Sequence, residues 1–553
     1  MRIIAVIISA LVMAGCQPAD TSVSLEITTD SRFVPAGNAW YTDGQKSVQE
    51  QAARLAHAGI ALASAKNVIL FVGDGMSMET IAAARILEGQ RAGENGEENR
   101  LSFEHFPFTG LSKTYNVDAQ TPDSAGTMTA MTTGVKTDMG IVGQDETASR
   151  SLCDPSGQSD VATLIELAEI AGLSSGIVTT ARLTHATPAA TYAHAPDRNW
   201  EDVSDMPEEA LVAGCVDIAA QFVGFPDTVE KKYGVPVDGI DVAFGGGRRH
   251  FLPKDPQFNT ADAQSSTEGD RTDGRDLISE WQSKHGHGHV VMADDEFKAL
   301  TVDTQGAVLG LFSESHMRFE ADRKNDVAGE PNLVAMTEKA IQLLSRNEQG
   351  FLLMVESGRI DHAHHAGNAY NALNETIVLS DAVRRATELT DPSDTLIIVT
   401  SDHGHVMSFA GYPKRGNPIL GKVVNPGQEE PAEAADGLPY TTLSYANGMG
   451  MDVIEGDDPE ERYNGALNAG RQDIRRKNTE SPHYHQEALV SLYSETHSGE
   501  DVAIYANGPS AALVSGVHEQ NDIFHMINRS VRLTEKASEK LPPSVTDRSV
   551  ITQ

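Results

Sequence analysis

The sequence predicts an α/β protein, a three-layer sandwich whose central, mostly parallel sheet lies between layers of helices. Three observations carry this. Short β-branched runs recur, each ends abruptly in Gly, Asp, Ser or His, and an amphipathic helix pattern follows. The runs are apolar on both faces, as strands covered on both sides must be. The 553 residues, 40% apolar with 48 glycines, suffice for one large soluble core.

Taken in order, residues 1–15 read as a signal peptide. Arg2 supplies its positive start, and Ile3–Ala14 an apolar stretch too short to span a bilayer. It ends in LVMAGC, similar to a bacterial lipoprotein signal with cleavage before Cys16 and lipid on that sulfur. Met13 stands where such signals usually have Leu, so ordinary secretion is the alternative. Residues 16–35 read as an exported linker, and 36–535 as the folded domain. A helix is expected over Gln45–Ala65. Strands are expected in VILFVGDG (from Val68), GIVTTARLTHATP (from Gly176), IDVAFGGG (from Ile240), FLLMVESG (from Phe351), LIIVTSDHGH (from Leu396) and VAIYANGP (from Val502). An acidic, Gly- and Pro-rich stretch at about 422–485 reads as an inserted, crown-like lobe, and 536–553 as a flexible tail. No later run is long and apolar enough for a membrane helix.

Lys and Arg total 43 against 79 Asp and Glu, a formal charge of −36. Such a field repels phosphate backbones and excludes general nucleic-acid binding; membrane contact is expected only through an N-terminal lipid. After Cys16 only Cys153 and Cys215 remain. An exported protein permits a disulfide between them, and two buried thiols are the alternative.

In sheets of this class ligands bind beyond the carboxyl ends of the strands. Asp74 follows the first run, His185 and Thr187 the second, and Glu356, Asp361 and His365 the FLLMV run. Asp402 and His403 follow LIIVTS, and His497 precedes the last strand. One such group alone is ordinary. This many acids and imidazoles at one edge repel one another unless cations lie between them. Mixed Asp and His suit zinc; Asp, Thr and Glu together suit magnesium. In GRIDHAHHAG, Asp361 and His365 are four apart and share a helical face, whereas His364 faces elsewhere as a structural group and His362 toward the pocket rim. TPDSAGT places Ser124 at a helix start, where developing negative charge is favoured. A metal could activate this serine; Asp123 and Ser124 could also be only helix caps.

Together VGDGM, PDSAGT, THATPAATYAHAPDRNW, VESGRIDHAHH, VTSDHGH and ETHSGEDV resemble alkaline phosphatases, in order and over about residues 35–535. DHAHH, SFAGYPKRG and GGGRRHF look most like the animal tissue-type branch. The resemblance implies hydrolysis of phosphate monoesters through a phosphoserine, with two zinc ions and one magnesium per subunit and an alkaline optimum. Ser124 matches the nucleophile and Arg198, in DRNW, the phosphate clamp. Asp361, His365 and His497 match one zinc site; Asp74, Asp402 and His403 match the second. Asp74, Thr187 and Glu356 match the magnesium site, with His185 behind it and His362 reaching phosphate through water. Cys153 and Cys215 stand where the animal branch has a disulfide, and Tyr412 matches a residue that reaches the partner active site of a homodimer. The animal calcium site is not expected here, because Gln257 and Ser313 replace two of its positions although Glu330 remains. Sulfatases on the same scaffold need a modifiable residue in a C/S-x-P-x-R setting, which PDSAGT lacks.

Overall fold

The computed structural model describes residues 29–286, 288–454 and 467–543. The signal peptide with Cys16, most of the linker, part of the lobe and the last ten residues lie outside them.

Ten strands form one sheet. They are β1 (Asn67–Gly73), β2 (Phe108–Lys113), β3 (Ser174–Arg182), β4 (Val242–Gly246), β5 (His289–Val291), β6 (Val308–Leu311), β7 (Phe351–Ser357), β8 (Thr395–Ser401), and the strands Val502–Asn507 and Gly516–Glu519. Their spatial order is Gly516–Glu519, β2, Val502–Asn507, β8, β1, β7, β3, β4, β6, β5. Only Val502–Asn507 runs against its neighbours, β2 and β8; every other pairing is parallel.

The period-two alternation of each central strand feeds two separate cores. Val68, Leu70 and Val72 of β1, with Leu352 and Met354 of β7 and Ile398 of β8, join one cluster. Ile69, Phe71, Leu353, Val355, Ile397 and Val399 join the other. Helices Leu164–Ala171 and Asp522–Val531 cover the first face; Met78–Arg91, Leu333–Leu344 and Ala369–Leu389 cover the second. Each fully buried aliphatic side chain contributes about 1.5–3 kcal/mol, so both faces must be covered for the sheet to persist.

Two local expectations shift. The N-terminal helix spans Ala39–His57 rather than 45–65. Asn38 caps it by accepting the Tyr41 N–H, and Gly59, at φ +79°, turns the chain out of helical geometry two residues after it ends. This helix lies on the chain's own Asp522–Val531: Tyr41 meets His525 edge-on at 4.7 Å, and a Cβ on Gly44 would stand 2.7 Å from that ring. The second shift concerns strands: β2 is half-buried and β5 has three residues, so neither shows a two-faced apolar run.

Beyond β8 a three-stranded sheet joins Met407–Phe409, Leu443–Gly448 and Ala488–Ser491. It ties the chain on either side of the expected lobe to a strand within it.

Cys153 and Cys215 form a disulfide beside a small cluster of Trp200, Met206 and Ala210. It closes a separation of 62 residues. By loop-closure entropy such a cross-link stabilises the fold by about 4 kcal/mol. Replacing both cysteines by serine is therefore expected to lower the denaturant midpoint clearly. A midpoint equal to that of the parent would show that the bridged segment is held by packing alone.

Candidate active site

The parallel register brings the strand ends together. Glu356 of β7 is level with Val72 of β1 and Thr179 of β3, and Ser401 of β8 is level with Gly73. Asp74 and Asp402, the next residues of β1 and β8, therefore leave the sheet side by side. Gly75 adopts φ +69°, and a Cβ there would stand 2.4 Å from the His405 ring, so only glycine makes this turn. Its N–H donates to Asp402 Oδ1 at 3.0 Å.

Helix Arg359–His365 starts directly after β7. It carries Asp361 and His365 into a group with His405 and His497, one ligand atom of each lying within 4.8 Å of the others. Asp361 Oδ1 is 3.2 Å from His365 Nε2 and 3.3 Å from His497 Nε2, and the two Nε2 atoms are 3.1 Å apart. Tetrahedral ligands held about 2.0–2.1 Å from zinc would stand about 3.3 Å apart. The rear nitrogens set the tautomers. His365 Nδ1 donates to the Glu495 carbonyl at 2.6 Å and His497 Nδ1 to that of Pro122 at 2.8 Å, so that both Nε2 atoms face Asp361, as N–H donors to it or, once a cation displaces those protons, as its ligands.

His405 and Glu495 were not anticipated in these roles. His405 Nε2 is 2.8 Å from Asp361 Oδ1, and its Nδ1 is 2.5 Å from Glu495 Oε2. Burial works against its charge, but Glu495 and Asp361 lift the imidazole to about 10. It is thus an imidazolium that orients Asp361, with no lone pair to offer. Burial likewise opposes ionisation of Asp361, yet His365, His405 and His497 hold its carboxyl well below the usual range. His364 stands apart from this group: its nitrogens meet Thr80 Oγ1 at 2.9 Å and Tyr445 Oη at 2.8 Å.

A second group surrounds His403, whose Nε2 is 3.5 Å from Asp74 Oδ1, 3.3 Å from Asp402 Oδ2 and 3.2 Å from Ser124 Oγ. Asp74, His185 and Glu356 form a third, again within 4.8 Å, and buried Thr187 sits on the short helix Ala186–Ala189 beside His185. Both Asp74 oxygens are buried without a hydrogen-bond partner among the described residues. Burial, then Asp402, Asp361 and Glu356, push its carboxyl well above the ordinary range. Burial raises Glu356 to about 7 against a Thr179 hydrogen bond, with Asp402 and Asp361 adding to the rise. Asp402 is raised by burial and by Asp361, against the Gly75 N–H. Four carboxylates in so small a volume cannot all ionise unaided; divalent cations remove that conflict. The donors therefore fit zinc at the Asp/His groups and a hard cation at Asp74, Thr187 and Glu356.

Ser124 is the first residue of helix Ser124–Thr133 and is buried. Asp123 caps the helix through the Gly126 N–H and also receives that of Gly140. Asp123 Oδ2 accepts from Arg198 Nη1 at 3.0 Å. Burial opposes its charge, but Arg198 and the two N–H donors hold the carboxyl low. Asp123 is thus a cap that also aims Arg198, while the Ser124 hydroxyl points to His403. Ser124, Arg198, His185, His362 and His497 share a cavity of about 450 Å³. Tyr412 lies away from it, 83% exposed. Glu330 is buried and accepts the Arg318 N–H at 2.8 Å, and it belongs to none of the groups above.

A family model described as alkaline phosphatase matches residues 65–533. The tissue-nonspecific isozyme of alkaline phosphatase from Rattus norvegicus is 42% identical over 466 residues, 84% of this chain and 83% of its own. The alkaline phosphatase of Gadus morhua is 41% identical over 464 residues, 83% of this chain and 90% of its own. Among solved structures, the Thermus thermophilus alkaline phosphatase superposes with a TM-score of 0.58 at 24% identity, over 86% of this chain and 95% of its own.

Proposed function

This chain belongs to the alkaline phosphatase family, hydrolysing phosphate monoesters with bound metal, and from that premise we propose a role for each side chain. The observation that carries the reading is the position of the Ser124 hydroxyl: buried at a helix start, 3.2 Å from His403 Nε2, in one cavity with Arg198. Asp361, His365 and His497 would hold one zinc; Asp74, Asp402 and His403 would hold the other; Asp74, Thr187 and Glu356 would hold magnesium. When bound, such ions lower the pKa of the serine hydroxyl and of water and offset charge on the departing oxygen.

Arg198 grips two phosphoryl oxygens with its planar fork, and Asp123 keeps the fork aimed. The N-terminal peptide groups of helix Ser124–Thr133 face the same charge. Ser124 Oγ attacks phosphorus in line; its bond to phosphorus forms as the ester P–O bond breaks and the alcohol leaves. Water then attacks from the side the alcohol left, opposite Ser124 Oγ; the Oγ–P bond breaks as the water O–P bond forms, a proton returns to Ser124 and inorganic phosphate is freed. Two inversions retain configuration at phosphorus. His362 completes the far wall of the pocket, and His405 holds Asp361 in place. The exposure of Tyr412 supports a homodimer in which it reaches the partner. The Cys153–Cys215 bond supports export, with lipid on Cys16 as the finer proposal.

The test is phosphate release from an aryl phosphate at about pH 9–10, chosen for nucleophiles whose pKa cations depress. Chelation is expected to abolish turnover, zinc to restore most of it, and magnesium to add to that. Full activity after exhaustive chelation would overturn the metal roles. Turnover of diesters or sulfates alone would overturn the substrate class.

A further inference from the structure

Among the pocket residues that take no part in the scheme above, Arg182, Glu201 and His316 are joined to one another. His316 lies in the loop after β6, and its ring stands 4.0 Å from that of His362 and 5.3 Å from that of His185. The three imidazoles have nitrogens within 4.8 Å of one another, the composition of a zinc site. Their donors argue otherwise. Arg182 Nη1 meets His316 Nε2 at 2.5 Å, and Arg198 Nη2 meets His185 Nε2 at 3.2 Å. A guanidinium only donates, so both Nε2 atoms accept and both rings carry their proton on Nδ1. Two of the three lone pairs are therefore already engaged by cations.

The contacts instead run as one braced chain. Arg182 is held by Glu201 through two bonds, Nε to Oε2 at 2.8 Å and Nη2 to Oε1 at 2.5 Å. Glu201 also accepts from Thr184 Oγ1 at 2.6 Å. Arg182 fixes the His316 ring, His316 packs behind both His185 and His362, and His185 bonds the clamp, Arg198. We propose that His316, braced by the Arg182–Glu201 pair, is a positioning residue that sets the phosphate clamp through His185 and His362. The inference rests on the phosphatase reading and adds residues to it that act on the clamp through other side chains.

His316→Ala removes the wedge, and His316→Phe keeps ring bulk but accepts nothing from Arg182. In both, the inhibition constant for inorganic phosphate and the KM for an aryl phosphate are expected to rise together. The rise should be roughly tenfold, the scale of one misaligned charge-assisted hydrogen bond. Zinc and magnesium per chain should equal the parent's. His316→Gln, whose amide oxygen can accept from Arg182, should recover most of the loss. A lowered melting temperature with unchanged phosphate inhibition would mean that His316 is only structural. Loss of one zinc per chain in His316→Phe would mean that the three imidazoles hold a cation after all. Either result overturns the proposal while leaving the phosphatase reading intact; absence of ester turnover in the parent would instead remove that reading.

Discussion

Ser124→Ala is expected to lower phosphate release from an aryl phosphate by at least about 10³-fold, with the fold and metal content unchanged. The argument is local. Asp123, not Ser124, supplies the helix cap, so the hydroxyl is free of any capping duty. It lies 3.2 Å from His403 Nε2 and shares the cavity with Arg198. Removing one oxygen from a small buried side chain disturbs no packing, and Arg198 retains its bond to Asp123. Phosphate binding should therefore persist, read as inhibition by inorganic phosphate, while covalent capture disappears. Residual hydrolysis, if any, would come from direct attack by water on the positioned ester. A variant that still released phosphate within about tenfold of the parent would show that the reaction never passes through Ser124.

The same residue shows what could be read before the fold was known. Ser124, Asp74, Glu356 and Asp402 were legible because each ends or follows a recognisable local pattern, a helix start or a strand apolar on both faces, whereas Arg198 sits in a loop and was reached only through the resemblance of DRNW. Parallel strands with covered faces must deliver their carboxyl ends to one edge, so the convergence needed no pairing information. β2 and β5 were not legible, since one is half-exposed and the other is too short for a period to appear. His405 was missed for a different reason. It lies two residues past His403 in a stretch already assigned to ligands, and its role comes from an antiparallel bridge that sets it opposite His497. Glu495 and His316 reach the site through loops, where spacing carries no periodic signal. Their contacts depend on register and on loop path, which a single sequence does not print.

That distinction bears on the first zinc group, whose properties depend as much on the unread residues as on the read ones. Asp361→Asn is expected to weaken zinc retention there by at least about 100-fold and to remove most turnover at limiting zinc. Among the described residues Asp361 is the only carboxylate facing His365, His405 and His497 together, at 3.2, 2.8 and 3.3 Å. Asparagine keeps its size, so the change is one of charge. The loss acts twice. A cation would meet two neutral imidazoles and an amide rather than a carboxylate. His405, lifted to about 10 by Glu495 and Asp361 after burial has opposed it, would lose one of those two partners. Its Nε2 would then face an amide in place of the carboxylate it orients, and the group would lose its alignment as well as its charge. The measurement is zinc exchange against a chelator of known affinity, followed alongside phosphate release as zinc is restored. Activity that returns only at a much higher zinc concentration fits this account. Parent-like zinc retention in Asp361→Asn would mean that His365 and His497 suffice, and would return Asp361 to the rank of a structural acid.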